Sequence, residues 1–473
     1  MRPGAPWQMA ALALDRVSQT TLVDQIARHI EVAIAEGSLQ SGSRLPSWRD
    51  LAGQLGVARG TVRAAYEKLI DRELLIAAGS AGTRVAKHLP SIIVPVTSDV
   101  DSLLPLDFHF RSTQPLVFQM GVPAHDVFPA TLWARLHRQA VQSTSLRTGY
   151  SDPRGLPELR SAIASHVAIT RGIDCSPEQI IVTTGFRSGL GIALRTIGAT
   201  GKQAWVEDPG YPVTRFALEL SGVHPVPVPV DSDGLVVERG GELAPRAALA
   251  VVTPGQQAPS GVALAEYRRR ELLQWATSCS GWIVEDDYLA ELHLSGRSQN
   301  ALASGEGADR VIHVGTFSKT IAPMVGLGFV VAPMPLARRL IEVATWLSAP
   351  PNAALQVALS TFLREGHYLR HLRRMRRVYG QRRRCLLETL TKLGVERAVP
   401  AALSVMLPLP DGFDDQQFSL NARAVDLGPA PLSPWFAAAS RSRSGLLLGV
   451  ANVPERKTEE DCRRLLTMLQ TQK

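Results

Sequence analysis

The chain has 473 residues, 45% of them hydrophobic and 20% charged, with a formal net charge of +8. That length exceeds what one hydrophobic core usually accommodates, so two or three domains are expected. No apolar run approaches the roughly 18 residues that a membrane span needs. The opening "MRPGAPWQMAALALDR" lacks the apolar core and cleavage site of an export signal, so a cytoplasmic protein is expected. Four scattered cysteines (Cys175, Cys279, Cys385, Cys462) have neither metal-binding nor disulfide spacing and read as buried reduced thiols.

The charge is local. Residues 1–90 hold eleven Lys/Arg against eight Asp/Glu, a net +3, whereas residues 366–384 hold eight arginines and no acid. Overall basicity is therefore a weak argument for nucleic acid, and local pattern must decide.

In "TLVDQIARHIEVAIAEGSL", Leu22, Ile26, Ile30 and Ala33 fall on one helical face, and Gly37 supplies a stop. "WRDLAGQLGVARGTVRAAYEKLIDREL" reads as two short helices. The first ends near Leu55, Gly56 permits the turn, and Val57, Val62, Tyr66 and Leu69 of the second face inward. "LLIAAGSAGTRVA" reads as a β-ribbon with a glycine-rich tip, and this order of elements predicts a winged helix-turn-helix. Here the chain resembles the GntR class of bacterial regulators, on "LPSWRDLAGQLGVARGTVRAAYEKL" and the "GSAGT" wing. By position, the resemblance implies that Arg49, Arg59 and Arg63 touch operator DNA and that Thr61 contacts a phosphate. The spacing agrees: Arg59 and Arg63 lie four apart on one helix face, and a guanidinium can read guanine or clamp a phosphate.

From about Val85 to Leu116 the helical period disappears into a proline-rich, mixed stretch, read as a linker over 86–115 between a head (1–85) and a body (116–473). In the body, "QIIVTTG", "KQAWVEDPGY", "ALAVVTPG", "GWIVEDDY" and "RVIHVGTFSK" are short strand-like runs. Helical segments such as "FRSGLGIALRTIG" and "AEYRRRELLQWATSC" separate them. This rhythm predicts an α/β fold with a mostly parallel sheet and functional residues at the strands' C-terminal ends.

Those ends carry a distinctive set. Lys319 stands among small and apolar residues with no acid nearby in sequence, a setting that lowers an amine's pKa. Asp286 and Tyr288 close "VEDDY", Tyr211 closes "EDPGY", and "TTGFRSG" runs from a strand into a helix opening with Gly185, Phe186 and Arg187. One cofactor, pyridoxal 5'-phosphate (PLP), would use all of them: an amine for a Schiff base, an acid for the pyridine nitrogen, a donor for the phenolic oxygen, a stacking ring, and amides at a helix N-terminus for the phosphate.

Residues from about 115 onward resemble the fold-type-I, aspartate aminotransferase-like PLP-dependent transferases. With the head, the chain resembles the MocR class of PLP-dependent regulators, on "MGVPAHDVFPATLW", "GYSDPRGLPELRSAIA", "VEDPGYPVTR", "TPGQQAPSG", "VEDDYLAEL", "GTFSKTIAP", "HLRRMRRVYGQRR" and "GLLLGVANV". The resemblance implies that Lys319, next to Ser318, carries the cofactor and that Asp286 and Tyr288 hold its ring. It also implies a large subdomain over about 140–350 with a small C-terminal one, and a homodimer in which one chain's head packs on its partner's body.

Three departures stand out. Seven residues after Lys319, where the class usually has a phosphate-binding arginine, this chain has Gly326; Arg187, where glutamine is common, is the expected replacement. "TPGQQAPSG" has Gln256 in place of the usual histidine and Ala258 in place of a larger residue, leaving Gln257 to approach the ring oxygen. "GLLLGVA" has leucine where transaminases commonly place a substrate-carboxylate arginine. The arginine run 366–384 reads as the solvated face of a long helix, with flanking DNA as the alternative. The leading reading is a PLP-dependent, DNA-binding regulator that senses an amine, an amino acid or PLP itself. The alternatives are a working aminotransferase with a fused DNA-binding head, and a regulator whose body has lost the cofactor.

Overall fold

The computed structural model describes residues 14–15, 20–35, 38–77, 82–86, 115–145, 149–294, 296, 298–437 and 443–471. Gly37, the tip of the ribbon and nearly all of the expected linker lie outside the described residues. The chain divides into two units, Met1–Phe110 and Arg111–Lys473.

In the first unit, α1 (Leu22–Ala35), α2 (Trp48–Leu55) and α3 (Arg59–Asp71) precede an antiparallel ribbon, β1 (Leu75–Ala77) and β2 (Thr83–Val85). Ser47 caps α2 by accepting from the Asp50 amide, and Gly56 closes it in the left-handed conformation (φ 63°), the turn its position predicts. Ile26, Ile30 and Ala33 of α1 meet Leu51, Val62, Tyr66 and Leu69 in one buried cluster, while Val57 is only partly buried against it.

The second unit opens with α4 (Ala130–Thr144) and α5 (Pro157–Arg171). It continues as β3 (Ile180–Thr183), α6 (Phe186–Ile197), β4 (Gln203–Asp208), α7 (Pro212–Leu220), β5 (His224–Asp231), β6 (Gly234–Leu235), α8 (Val237–Leu243), β7 (Leu249–Val252), α9 (Glu266–Ser278), β8 (Trp282–Asp287), β9 (Val311–Thr316) and β10 (Gly328–Val331). These strands form one sheet in the order β3-β10-β9-β8-β7-β4-β5-β6. Strands β3, β7 and β10 are buried at every residue, because the sheet has cover on both faces. Alternation sends Ile180 and Val182 into one core with Phe317 and Tyr368, and Ile181 into another with Leu190 and Val314. Helices α10 (Met334–Leu347), α11 (Ala353–Arg364) and α12 (His367–Lys392) then lead to a second, antiparallel sheet. Its elements are β11 (Val399–Ala401), β12 (Ser404–Pro408), α13 (Asp415–Arg423), β13 (Ala430–Pro431), β14 (Gly445–Gly449) and α14 (Thr458–Thr471).

Among the strands that escaped the sequence reading are β5 and β10. In β5, "HPVPVPVD", prolines alternate with valines. His224, an odd number of residues from each proline, donates to Lys202 O on the β4 side, so the missing N–H groups of Pro225, Pro227 and Pro229 fall on the opposite, sparsely paired edge. Strand β10 runs antiparallel between β3 and β9. The cysteines need a correction: Cys462 is buried, but Cys175, in the loop after α5, Cys279, just past the end of α9, and Cys385, within α12, are only half-buried.

Candidate functional site

Lys319 follows β9 in a tight turn where the Thr320 and Ile321 amides both donate to Phe317 O. Its Nζ donates to Gly121 O at 3.1 Å. Gly121 has φ +78°, and a Cβ there would stand 3.0 Å from Nζ, so the glycine makes room for the amine. Burial lowers the Lys319 pKa and the positive charge of Arg187 lowers it further, while Asp286 opposes both. The fold thus supplies the acid that the local sequence lacks.

Asp286 is the fifth residue of β8 and is buried. Burial raises its pKa well above the usual carboxylate range, aided by the charges of Asp287 and Glu207 and opposed by Lys319. Its Oδ1 is enclosed without a hydrogen-bond donor among the described residues. Such an atom is costly unless a ligand pairs with it. Tyr288 follows on the same strand end, its hydroxyl pKa raised by burial and by the charges of Asp286 and Glu207. Tyr211 caps α7 after β4; burial and Asp286 raise its pKa to about 12, while Arg187 pulls it down.

The helix start after β3 is bare. Gly185 (φ 118°) precedes α6 with no side-chain cap, and a Cβ there would lie 3.9 Å from both Ser318 Oγ and Thr316 Oγ1. Two hydroxyls and the first amides of α6, from Phe186 and Arg187 onward, therefore face one small space, the arrangement that binds anions. The Arg187 side chain is exposed. Gly326 adopts φ +56°, a left-handed conformation that an arginine would adopt only under strain.

Gln257 is placed differently from expectation. Its amide nitrogen donates to Pro209 O (2.7 Å) and Ala258 O (2.6 Å) and lies 3.4 Å from Glu207 Oε2, while its oxygen accepts from the Ser260 amide and hydroxyl. Those contacts tie the amide to its own loop and to the loop that follows β4. Glu207, which the sequence reading passed over, accepts from the Thr253 amide and hydroxyl, and burial raises its carboxyl to about 7.

On the head, Arg59 and Arg49 are exposed, and the Arg49 guanidinium lies 4.8 Å from the centre of the Trp48 ring. Thr61 is half-buried in the first turn of α3. Arg63 is exposed but paired with Glu67 at 2.8 Å. Arg44, exposed and bridged to Arg84 of β2, lies beside Gly82 at the tip end of the ribbon. The arginine run forms most of α12; Arg373, Arg374, Arg376, Arg377 and Arg384 are exposed, and Arg382 turns inward to Asp126 and Ala451 O.

A helix-turn-helix with a ribbon, and a cleft with a desolvated lysine and an unpaired buried aspartate at one sheet edge, are the two halves of a DNA-binding regulator with an enzyme-like body. Residues 22–85 match the family described as bacterial regulatory proteins, gntR family, and residues 114–421 match aminotransferase class I and II. The chain is 32% identical to the probable rhizopine catabolism regulatory protein MocR of Rhizobium meliloti, over 95% of this chain and 94% of that one. It is 35% identical to the HTH-type pyridoxine biosynthesis transcriptional regulator PdxR of Corynebacterium glutamicum, over 81% and 82% of the two chains. The chain therefore belongs to the MocR-type, GntR-headed transcriptional regulators. In fold alone it is similar to an archaeal alanine:glyoxylate aminotransferase, with a TM-score of 0.70 and 22% identity over 77% of this chain and 93% of that one. The α-aminoadipate aminotransferase LysN of Thermus thermophilus gives 0.68 and 24% over 76% and 92%.

Proposed function

We propose that the body binds pyridoxal 5'-phosphate and senses a small amine, an amino acid or PLP itself, and that the head reads operator DNA accordingly. The observation that carries this reading is the Asp286–Lys319 pair: a buried carboxyl oxygen without a donor among the described residues, within electrostatic reach of an amine held at lowered pKa. A protonated ring nitrogen fits the first, and an aldehyde fits the second.

When bound, PLP supplies an aldehyde that exchanges one amine for another. The chain's own residues do the rest. Lys319 offers the resident amine, Asp286 keeps the ring nitrogen protonated, Tyr288 donates to the phenolic oxygen, and Tyr211 supplies a stacking face. Gly185, Phe186 and Arg187 at the start of α6, with Ser318, hold the phosphate; Gln257 braces the loop beside the ring. Burial and Arg187 favour the neutral form of the Lys319 amine, the form that would react with an aldehyde, and a change at this amine would alter the electrostatics of the cleft. Arg49, Arg59, Thr61 and Arg63 contact the operator, residues 86–115 link head to body, and the chain works in the cytoplasm as a head-to-tail homodimer.

The test is a PLP titration of the wild type and of Lys319→Ala, followed by visible absorbance, with footprinting on DNA upstream of the protein's own gene. A visible band lost in the variant, and a footprint that an amine alters, are expected. A protein that stays colourless with PLP overturns the sensing mechanism; steady turnover of an amino donor with a keto acid would make the body a working aminotransferase instead.

A further inference from the structure

The residue after Lys319 is gripped by a distant helix. Thr320 Oγ1 lies 2.9 Å from Tyr368 Oη, and Thr320 O accepts from His371 Nε2 at 2.7 Å; both partners sit in the first two turns of α12. His371 Nδ1 is buried with no partner among the described residues, so the network assigns the ring as neutral with its proton on Nε2. Two residues before Lys319, Phe317 packs edge-on against the Tyr368 ring at 5.6 Å. Both flanks of the lysine therefore touch the start of α12.

Behind the grip stands a fixed point. Tyr368 Oη is also 2.9 Å from Glu291 Oε2. Glu291 is held by His166 Nε2, by Thr170 Oγ1 at 3.0 Å and, through its carbonyl, by Arg376 Nε at 2.7 Å. The Tyr368 hydroxyl has one proton and two acceptors. The charged carboxylate is the better acceptor, which leaves Thr320 to donate to Tyr368. Thr320 also lies 3.3 Å from Phe317 O, an alternative acceptor. The grip on Thr320 can thus be released while Tyr368 stays bonded to Glu291.

The far end of α12 holds the C-terminal subdomain. Arg382 donates to Ala451 O, Arg383 to Ala402 O at 3.2 Å, and Gln381 to Glu455 at 3.0 Å. The helix has 26 residues, a span of about 39 Å.

We infer that α12 is the lever by which an amine acting on Lys319 moves the C-terminal subdomain, with Tyr368 and His371 as a releasable clamp on Thr320. This rests on the reading that Lys319 is the amine-exchanging group. Tyr368 and His371 are positioning residues: they act through Thr320 on the lysine.

The test uses the full chain, Tyr368→Phe and Thr320→Val, and hydrogen–deuterium exchange. Without ligand, both variants should speed exchange in residues 316–322 about five-fold, as loss of one hydrogen bond predicts, and leave 180–206 unchanged. With PLP as the probe, the wild type should change exchange in 381–392 and Tyr368→Phe should not. In both variants the pH at which PLP's visible band titrates should shift, which a purely structural role would not move. Wild-type exchange at 316–322 in both variants, or an undiminished PLP response at 381–392 in Tyr368→Phe, overturns the inference and leaves the proposed function standing. Absence of a visible band in the wild type overturns the proposed function and the lever with it, while the ligand-free exchange still decides the clamp.

Discussion

Lys319 Nζ reaches back 198 residues to the carbonyl oxygen of Gly121, 3.1 Å away, across a gap that any side chain at 121 would close. Gly121→Ala brings a Cβ to 3.0 Å from the amine and places an L residue at φ +78°. The strain costs about 1–2 kcal/mol of stability. The contact should also slow engagement of Lys319, read as delayed growth of PLP's visible band at unchanged wavelength.

Glu207 makes stability depend on pH. Its folded carboxyl titrates near about 7 against an ordinary 4.5, so between these values the folded chain keeps a proton that the unfolded chain has released. Stability therefore falls as pH rises through that window, by about 3 kcal/mol in total from this group. Glu207→Gln should flatten that slope, measured as urea midpoints at about pH 5 and about pH 7.5.

Arg187 and Gly326 form a matched pair of predictions. Arg187→Gln should weaken PLP binding by roughly 2–4 kcal/mol, measured by fluorescence titration, if the guanidinium carries the phosphate charge. Gly326→Arg should not restore it, because φ +56° strains any side chain there by about 1–2 kcal/mol. Calorimetry should find that variant less stable than the wild type.

On the head, Arg59→Ala should weaken operator binding by about 1–3 kcal/mol. Arg63 starts paired with Glu67, each exposed by more than half. Glu67→Ala frees the guanidinium without removing it, so DNA affinity should rise at low salt and the gain should vanish as salt is added. Mobility shifts over a salt series read both effects.

The residues singled out in the sequence lie at or just past strand ends. Asp286 is near the end of β8, and Tyr211 and Lys319 stand three residues beyond β4 and β9; a parallel sheet gathers such ends on one side whatever the loops do. Gly121, Tyr368, His371 and Glu291 could not be found that way. Gly121 lies 198 residues from its partner, and the clamp and its anchor span 48, 51 and 77 residues along the chain, with no shared period to join them. Tyr368 and His371 carry the spacing of an ordinary core face, and only the packing of α12 reveals their polar ends. The contacts of Gln257 were equally hidden: its amide donates to Ala258 O in its own loop and to Pro209 O, 48 residues back along the chain.

Strand β10 has one further consequence. Its first residue, Gly328, is paired with both Thr183 and Thr316, the last residues of β3 and β9, and a Cβ on it would collide with Gly185 and Gly315. One step of backbone without a side chain therefore sets the gauge between the start of α6 and the amine. An insertion within β10 cannot be absorbed on one side only: it would shift both margins at once. Drift in the surrounding loops can reshape the walls of the cleft, but not the separation of these two groups.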